Sequence, residues 1–214
     1  MKHNYQKELD NILINLQNNS KPKLLLHACC GPCSSYVLEY LSSHFDITVF
    51  FYNPNIYPSA EYERRLSELK NFYKEFPPVI QNKVKLIEEI YNPDDFYSSI
   101  DIINHPEFAN EKEKGNRCHL CYKFRLKKTF EYAEHNNFDF FCTTLSISPF
   151  KDSLQINEIG EELCKDSKTK WLFSDFKKSS GFLRSLQLSK EYNLYRQDYC
   201  GCIYSLNNSS EKKN

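Results

Sequence analysis

Apolar residues along the chain fall into two rhythms. Short β-branched or aromatic runs bounded by turn residues predict strands at "KLLLHA" (23–28), "DITVFFYNPNI" (46–56), "KVKLIEEI" (83–90), "DFFCTTL" (139–145) and "KWLF" (170–173). Between them, recurrence every three or four residues predicts helices at "SSYVLEYLSS" (34–43), capped by Ser34 or Ser35, and at "SAEYERRLSELKNFYKEF" (59–76). Further helices are predicted at "CHLCYKFRLKKTFEYAEHN" (118–136), with Leu120, Phe124 and Phe130 inward, at "SLQINEIGEELC" (153–164) and at "GFLRSLQLSKEYN" (181–193). An N-terminal amphipathic helix carries Leu9, Ile12, Leu13 and Leu16 on one face, and 92–117 reads as short helical turns.

Strands alternating with helices predict an α/β fold, a parallel five-stranded sheet with flanking helices and a helical, cysteine-bearing insert before the fourth strand. The expected organisation is a single catalytic domain over 1–205 and a disordered tail over 206–214. In such sheets chemistry gathers at loops after the C-terminal ends of strands, near the point where strand order reverses. Three segments qualify: the cysteines after 28, "YNPNIYP" (52–58) and "TTLSISPFK" (143–151).

Charge adds one exclusion. The 28 basic residues balance 28 acidic ones, so any nucleic-acid site is a local patch. No apolar run approaches the roughly 20 residues of a membrane helix, and the N-terminus lacks the apolar core and cleavage site of an export signal. A soluble, cytoplasmic protein with no membrane partner is expected.

Nine cysteines then demand an account, because the cytosol keeps thiols reduced. Seven fall in three groups: Cys29/Cys30/Cys33, Cys118/Cys121 and Cys200/Cys202. Cys30-Gly31-Pro32-Cys33 is the tetrapeptide of thioredoxin-like dithiols, so a thiol–disulfide oxidoreductase using Cys30/Cys33 is one reading. A zinc-stabilised RNA-binding module is another. Neither employs seven thiols, whereas four for a 4Fe–4S cluster and three for something beside it account for all of them. Adjacent side chains on an extended chain point in opposite directions, which suits Cys29 and Cys30 to two neighbouring metal centres. Gly201 leaves the directions of Cys200 and Cys202 open. Cys142 and Cys164 read as buried structural thiols.

The pattern His27-x-Cys29-Cys30-x-Pro32-Cys33, with "FYNPNIYPSAEYERR" (51–65), "CHLCYKFRLKKT" (118–129), "TTLSISPFK" (143–151) and "SKEYNLYRQDYCGCIYS" (189–205), resembles the QueH-type epoxyqueuosine reductases from about Leu24 to Ser205. The resemblance implies a fold like the PP-loop nucleotide-binding domains, although no Ser-Gly-Gly phosphate loop is present and no ATP use is expected. It implies two-electron reductive deoxygenation of epoxyqueuosine at the tRNA wobble position, the last step of queuosine biosynthesis. The implied cofactors are a 4Fe–4S cluster and an adjacent mononuclear iron, without cobalamin; the implied partners are tRNA carrying epoxyqueuosine and an external electron donor. Carried onto this chain, Cys30, Cys118, Cys121 and Cys202 would hold the cluster, and Cys29, Cys33 and Cys200 the iron. Cys33 stands where some members have Asp. Proton-donor candidates near these motifs are His27, Tyr52, Asp198 and Tyr199. Candidate RNA contacts are Lys123, Arg125, Lys177, Lys178, Arg184 and Arg196, with Arg64 and Arg65 beside them; proximity to the cysteine groups makes Lys123, Arg125 and Arg196 phosphate or cluster-environment contacts.

Overall fold

The structure is a computed structural model describing residues 3–16 and 20–210. Its sheet has five parallel strands in the order β3-β2-β1-β4-β5: β1 (Lys23–His27), β2 (Asp46–Phe51), β3 (Lys85–Glu88), β4 (Phe140–Thr143) and β5 (Lys170–Trp171). β1 pairs with β2 from Lys23↔Asp46 to His27↔Phe50, and with β4 from Leu24↔Phe140 to His27↔Thr143. Leu24, Leu25 and Leu26 are buried on both faces of the sheet, which explains the unbroken apolar run where a half-exposed strand would alternate. β5 is shorter than 170–173; Leu172 adds one further bond to the Phe141 carbonyl before the chain leaves the sheet.

Helices α1 (Tyr5–Leu16), α2 (Gly31–Leu41), α3 (Ser59–Glu75) and the short α4 (Pro77–Gln81) precede β3. The insert between β3 and β4 holds α5 (Pro93–Ser99), a 3-10 turn over Pro106–Asn110 and α6 (Asn116–His135). α7 (Ser153–Leu163), α8 (Gly181–Glu191) and α9 (Ile203–Ser210) complete the chain. Right-handed crossovers put α2 and α3 on one face as the chain steps from β1 to β3. The step from β3 back past β1 to β4 reverses direction and puts α6 and α7 on the other. That reversal lies between β1 and β4, where their C-terminal ends stand side by side.

Besides the strands, which end sooner than predicted (β2 at Phe51, β3 at Glu88, β4 at Thr143), three expectations change. α2 starts at Gly31 with Cys30 as N-cap, not at Ser34 or Ser35, because Pro32 in the first turn needs no N–H partner. The Ser34 and Ser35 hydroxyls instead donate to the Gly31 and Pro32 carbonyls, each at 3.0 Å. On α6 the buried face carries Arg117, Cys118, Cys121, Tyr122, Arg125, Leu126 and Thr129, while Leu120, Phe124 and Phe130 are half-buried at its flanks. Residues 206–210, read as the start of a tail, continue α9; 211–214 lie outside the described residues. α1 buries Leu9 and Leu13, with Ile12 and Leu16 half-buried, as its pattern requires.

α7 packs against β5 through Gly160, where a Cβ would run into the Trp171 indole. That ring is held by a hydrogen bond from its Nε1 to Asn157 Oδ1 (2.9 Å) and by an edge contact with Phe141. Gly160→Ala gains up to about 1 kcal/mol of helix propensity. Overpacking against a pinned indole costs about 1–3 kcal/mol. The variant is therefore expected to have a lower urea midpoint than the parent; an unchanged or raised midpoint contradicts this packing.

Candidate metal centre

The loop after β1 is fixed before any cysteine is reached. His27 is fully buried: its Nε2–H donates to the Tyr52 carbonyl (3.1 Å) and its Nδ1 accepts from the Thr143 hydroxyl (2.8 Å). Burial first, then the Arg125 charge, lower its pKa to about 4, so the ring is neutral at pH 7. Asn53 Nδ2 donates to the Ala28 carbonyl at 2.9 Å. β1, β2 and β4 are thereby tied together where β1 ends.

Beyond this tie the backbone bends at Cys29, and strand alternation stops. Cys29 and Cys30 Sγ lie 3.8 Å apart, and the sulfurs of Cys29, Cys30 and Cys33 all lie within 4.8 Å of one another. The bend is why adjacent side chains converge here, against the expectation that they diverge. Sulfurs gathered this closely are within the reach of metal coordination, at Zn–S or Fe–S bond lengths of ~2.3 Å. Hydrogen bonds from Cys29 and Cys33, with the Arg65 charge, hold the Cys30 thiol well below its ordinary range. Donating those bonds raises Cys33.

The other four clustered thiols meet across the insert and the C-terminus. Cys118 and Cys121 are one turn apart at the start of α6, whose unpaired N–H groups favour anionic sulfur. Cys121 and Cys202 share a small apolar cluster with Phe96 and Ile100, and the charges of Cys200 and Cys202 both bear on Cys121. Burial pushes the Cys121 thiol up to about 12, opposed by Arg125. Cys200 and Cys202 flank Gly201, whose φ of +137° a side chain would strain.

Four cations are buried among these sulfurs: Arg65, Arg117, Arg125 and Lys151. Arg65 pairs with Glu61 (2.7 Å) and donates to the Cys200 carbonyl (3.1 Å). Arg117 donates to the carbonyls of Phe108, Ala109 and Glu111 and bears on Cys202. Arg125 lies between the groups, facing Cys121, Cys200 and Cys29. Burial depresses Lys151, but Cys200, Tyr122 and Glu113 more than offset it and hold its ammonium well above the ordinary range. Arg65 Nη2 and Arg125 Nη2 are buried without a hydrogen-bond partner. Buried guanidinium donors left open beside thiols fit an anionic, metal-bound thiolate set.

A cavity of about 470 Å³ opens over this arrangement at the strand-order reversal. Its floor includes Cys29, Cys33, Cys200, Arg125 and Lys151, and its wall includes Leu145, Ile147, Pro149, Phe150 and Phe182. Asp198 and Tyr199 line it; His27 and Tyr52 do not. The Tyr199 hydroxyl donates to the Tyr57 carbonyl, and burial raises its pKa to about 12.

The expected RNA contacts divide. Arg125 is buried at the sulfur site, so of its two expected roles, phosphate contact or cluster environment, the structure removes the first and favours the second. Lys123 meets Glu162 at 3.5 Å, Lys177 pairs with Asp175, and Arg184 grips Glu39 with two bonds of 2.9 and 2.6 Å. Lys178 is exposed away from the cavity lining, while Arg196 is exposed on the cavity wall with its guanidinium 5.8 Å from the Phe182 ring. Arg64 stacks on Tyr195 and Arg65 is buried. Sequence reasoning missed Lys151, Arg117 and Gln197, whose Nε2 donates to Cys30 Sγ at 3.3 Å. Lys151 closes the "SPFK" segment and Gln197 sits three residues before Cys200, so adjacency to the motifs was the available signal.

The sequence profile of the family described as "Epoxyqueuosine reductase QueH" matches residues 24–208. The chain is similar to proteins of that name from Streptococcus pyogenes serotype M1, 43% identical over 185 residues covering 86% of this chain and 71% of the relative. Those from Staphylococcus aureus (38% over 205 residues, 95% and 84% covered) and Thermotoga maritima (32% over 192 residues, 88% and 93% covered) are similar as well.

Cys142 is buried in β4, and Cys164 accepts the Trp171 N–H at 3.3 Å; neither faces the other sulfurs in the way the seven do. Cys142→Ala and Cys164→Ala are expected to keep the metal content of the parent, measured by elemental analysis after anaerobic purification, whereas Cys121→Ala loses most of it. Equal loss in all three contradicts the division.

Proposed function

The chain belongs to the epoxyqueuosine reductase QueH family, and from that premise we propose that its seven clustered thiols hold the iron centres with which it deoxygenates its substrate. It is an epoxyqueuosine reductase, an oxidoreductase, and its function implies epoxyqueuosine-bearing tRNA as substrate. No described helix is long and apolar enough to cross a membrane; the cytoplasmic setting rests on the family.

In this reading Cys30, Cys118, Cys121 and Cys202 hold a 4Fe–4S cluster, and Cys29, Cys33 and Cys200 hold an adjacent iron. One observation supports the allocation: the three thiols assigned to the iron line the cavity, and the four assigned to the cluster are not among its lining residues. The 3.8 Å between Cys29 and Cys30 sulfurs joins the two sets at their boundary. When bound, these groups supply a Lewis acid for the epoxide oxygen and a path for two electrons from an external donor.

The chain's own residues bind, orient and protonate. Converting the epoxide to an alkene consumes two electrons and two protons and releases water. Of the expected donors, Asp198 and Tyr199 line the cavity, and Tyr199 keeps its proton at pH 7. His27 has both nitrogens engaged, and its role here is to fix the β1 end. The apolar wall from Leu145 to Phe150 limits water near the reacting carbons. Because three of the expected basic contacts are internally paired, phosphate attraction comes from few residues, Arg196 foremost. Affinity for the RNA then depends on the base more than on the backbone.

Two results test this reading. Cys33→Ala and Cys200→Ala are expected to retain acid-labile sulfide and visible absorbance while losing one iron per chain and reductase activity. Cys118→Ala loses the sulfide and the colour, and if all three variants behaved alike the allocation would fail. Separately, at least one of Asp198→Asn and Tyr199→Phe is expected to lower kcat by roughly 10²- to 10⁴-fold with iron content unchanged. Full rates in both variants remove them as proton donors.

A further inference from the structure

Phe150 is 66% exposed, yet it lines the cavity over the thiols. Its backbone is not free to choose this position. The Phe150 N–H donates to Ser148 Oγ (3.2 Å), the Lys151 N–H donates to the Ser148 carbonyl (3.2 Å), and Ser148 N–H donates to the Leu145 carbonyl (3.2 Å). The next side chain, Lys151, is buried inward against Glu113 at 3.5 Å. With Lys151 drawn in and Pro149 fixing the preceding φ, the backbone at Phe150 is set so that its exposed ring lines the cavity, and the ring has no ring partner among the described residues.

A cavity of about 470 Å³ accepts a ligand of small-molecule size, not a length of polynucleotide. The modified base must therefore enter alone, turned out of its stack, with the RNA backbone outside. Its epoxide end has to reach the floor where Cys29, Cys33 and Cys200 lie, which leaves the heterocycle at the mouth, beside Phe150. Unstacked bases are recognised on aromatic faces. We infer that Phe150 is the stacking surface for the heterocycle of the epoxyqueuosine base, a positioning residue that sets how far the epoxide reaches toward the floor. This rests on the reductase reading above.

The test compares Phe150→Ala, Phe150→Leu and Phe150→Trp with Leu154→Ala, an exposed apolar change on α7 outside the cavity lining. With epoxyqueuosine-bearing tRNA, Phe150→Ala and Phe150→Leu are expected to raise KM by roughly 5- to 100-fold, with iron content kept and Phe150→Trp restoring binding. An anticodon stem-loop carrying 2-aminopurine at the wobble position gives a readout independent of turnover. On binding the probe leaves its loop stack, and its fluorescence is lower on the parent and Phe150→Trp, where a ring covers and quenches it, than on Phe150→Ala, where none does. The inference is overturned if Phe150→Ala matches Leu154→Ala in KM, or if quenching occurs only when the probe occupies a neighbouring position. Parent protein that quenches the probe but leaves epoxyqueuosine unreduced counts against the reductase reading instead.

Discussion

Charge compensation at the end of β1 is the constraint on which the rest of this molecule depends. Gathering seven thiols, five of them buried, into one region is tolerable as thiolates only if positive charge is buried with them. Moving a single ion into a protein interior costs several kcal/mol even after relaxation, with about 20 kcal/mol as the idealised limit. Arg65, Arg117, Arg125 and Lys151 are buried beside the sulfurs, and metal ions bound there would supply the remaining positive charge. Without thiolates, four buried cations on a chain of zero net charge would be costly; without the cations, holding the thiols as thiolates would cost more still. Each set makes the other affordable, and Arg125, which bears on both groups of sulfur, couples them.

The fold delivers these charges to one place with few parts. β1 ends on a histidine tied to both neighbouring strands, so the bend at Cys29 begins from a fixed point. α2 starts directly after the bend, with Cys30 as its N-cap residue. The insert before β4 brings the head of α6 to the same end of the sheet, and the Gly201 turn folds Cys200 and Cys202 back toward it. The loop after β4 closes the remaining side with Lys151 inward and apolar residues around the opening.

Much of this was legible in the sequence where the signal is local. The five strands, their parallel arrangement and the three cysteine groups follow from patterns within a few residues. What failed depended on partners far along the chain. Arg184 reads as an RNA contact until Glu39 appears beside it, 145 residues away. Arg125 reads from its sequence neighbours as a contact of either phosphate or the cluster environment; the fold decides between them, because the buried face of α6 is the one with cysteine and arginine. The Cys29–Cys30 pair was read as extended chain, and one bent residue reversed the geometry. Pro32 in the first turn outweighed the serines as a helix start.

Anomalous diffraction at the iron absorption edge from anaerobically grown crystals tests the central claim most directly. It should place one iron against Cys29, Cys33 and Cys200 at the cavity floor, and a separate cluster against Cys30, Cys118, Cys121 and Cys202. A single centre, or zinc in place of iron, would contradict the account.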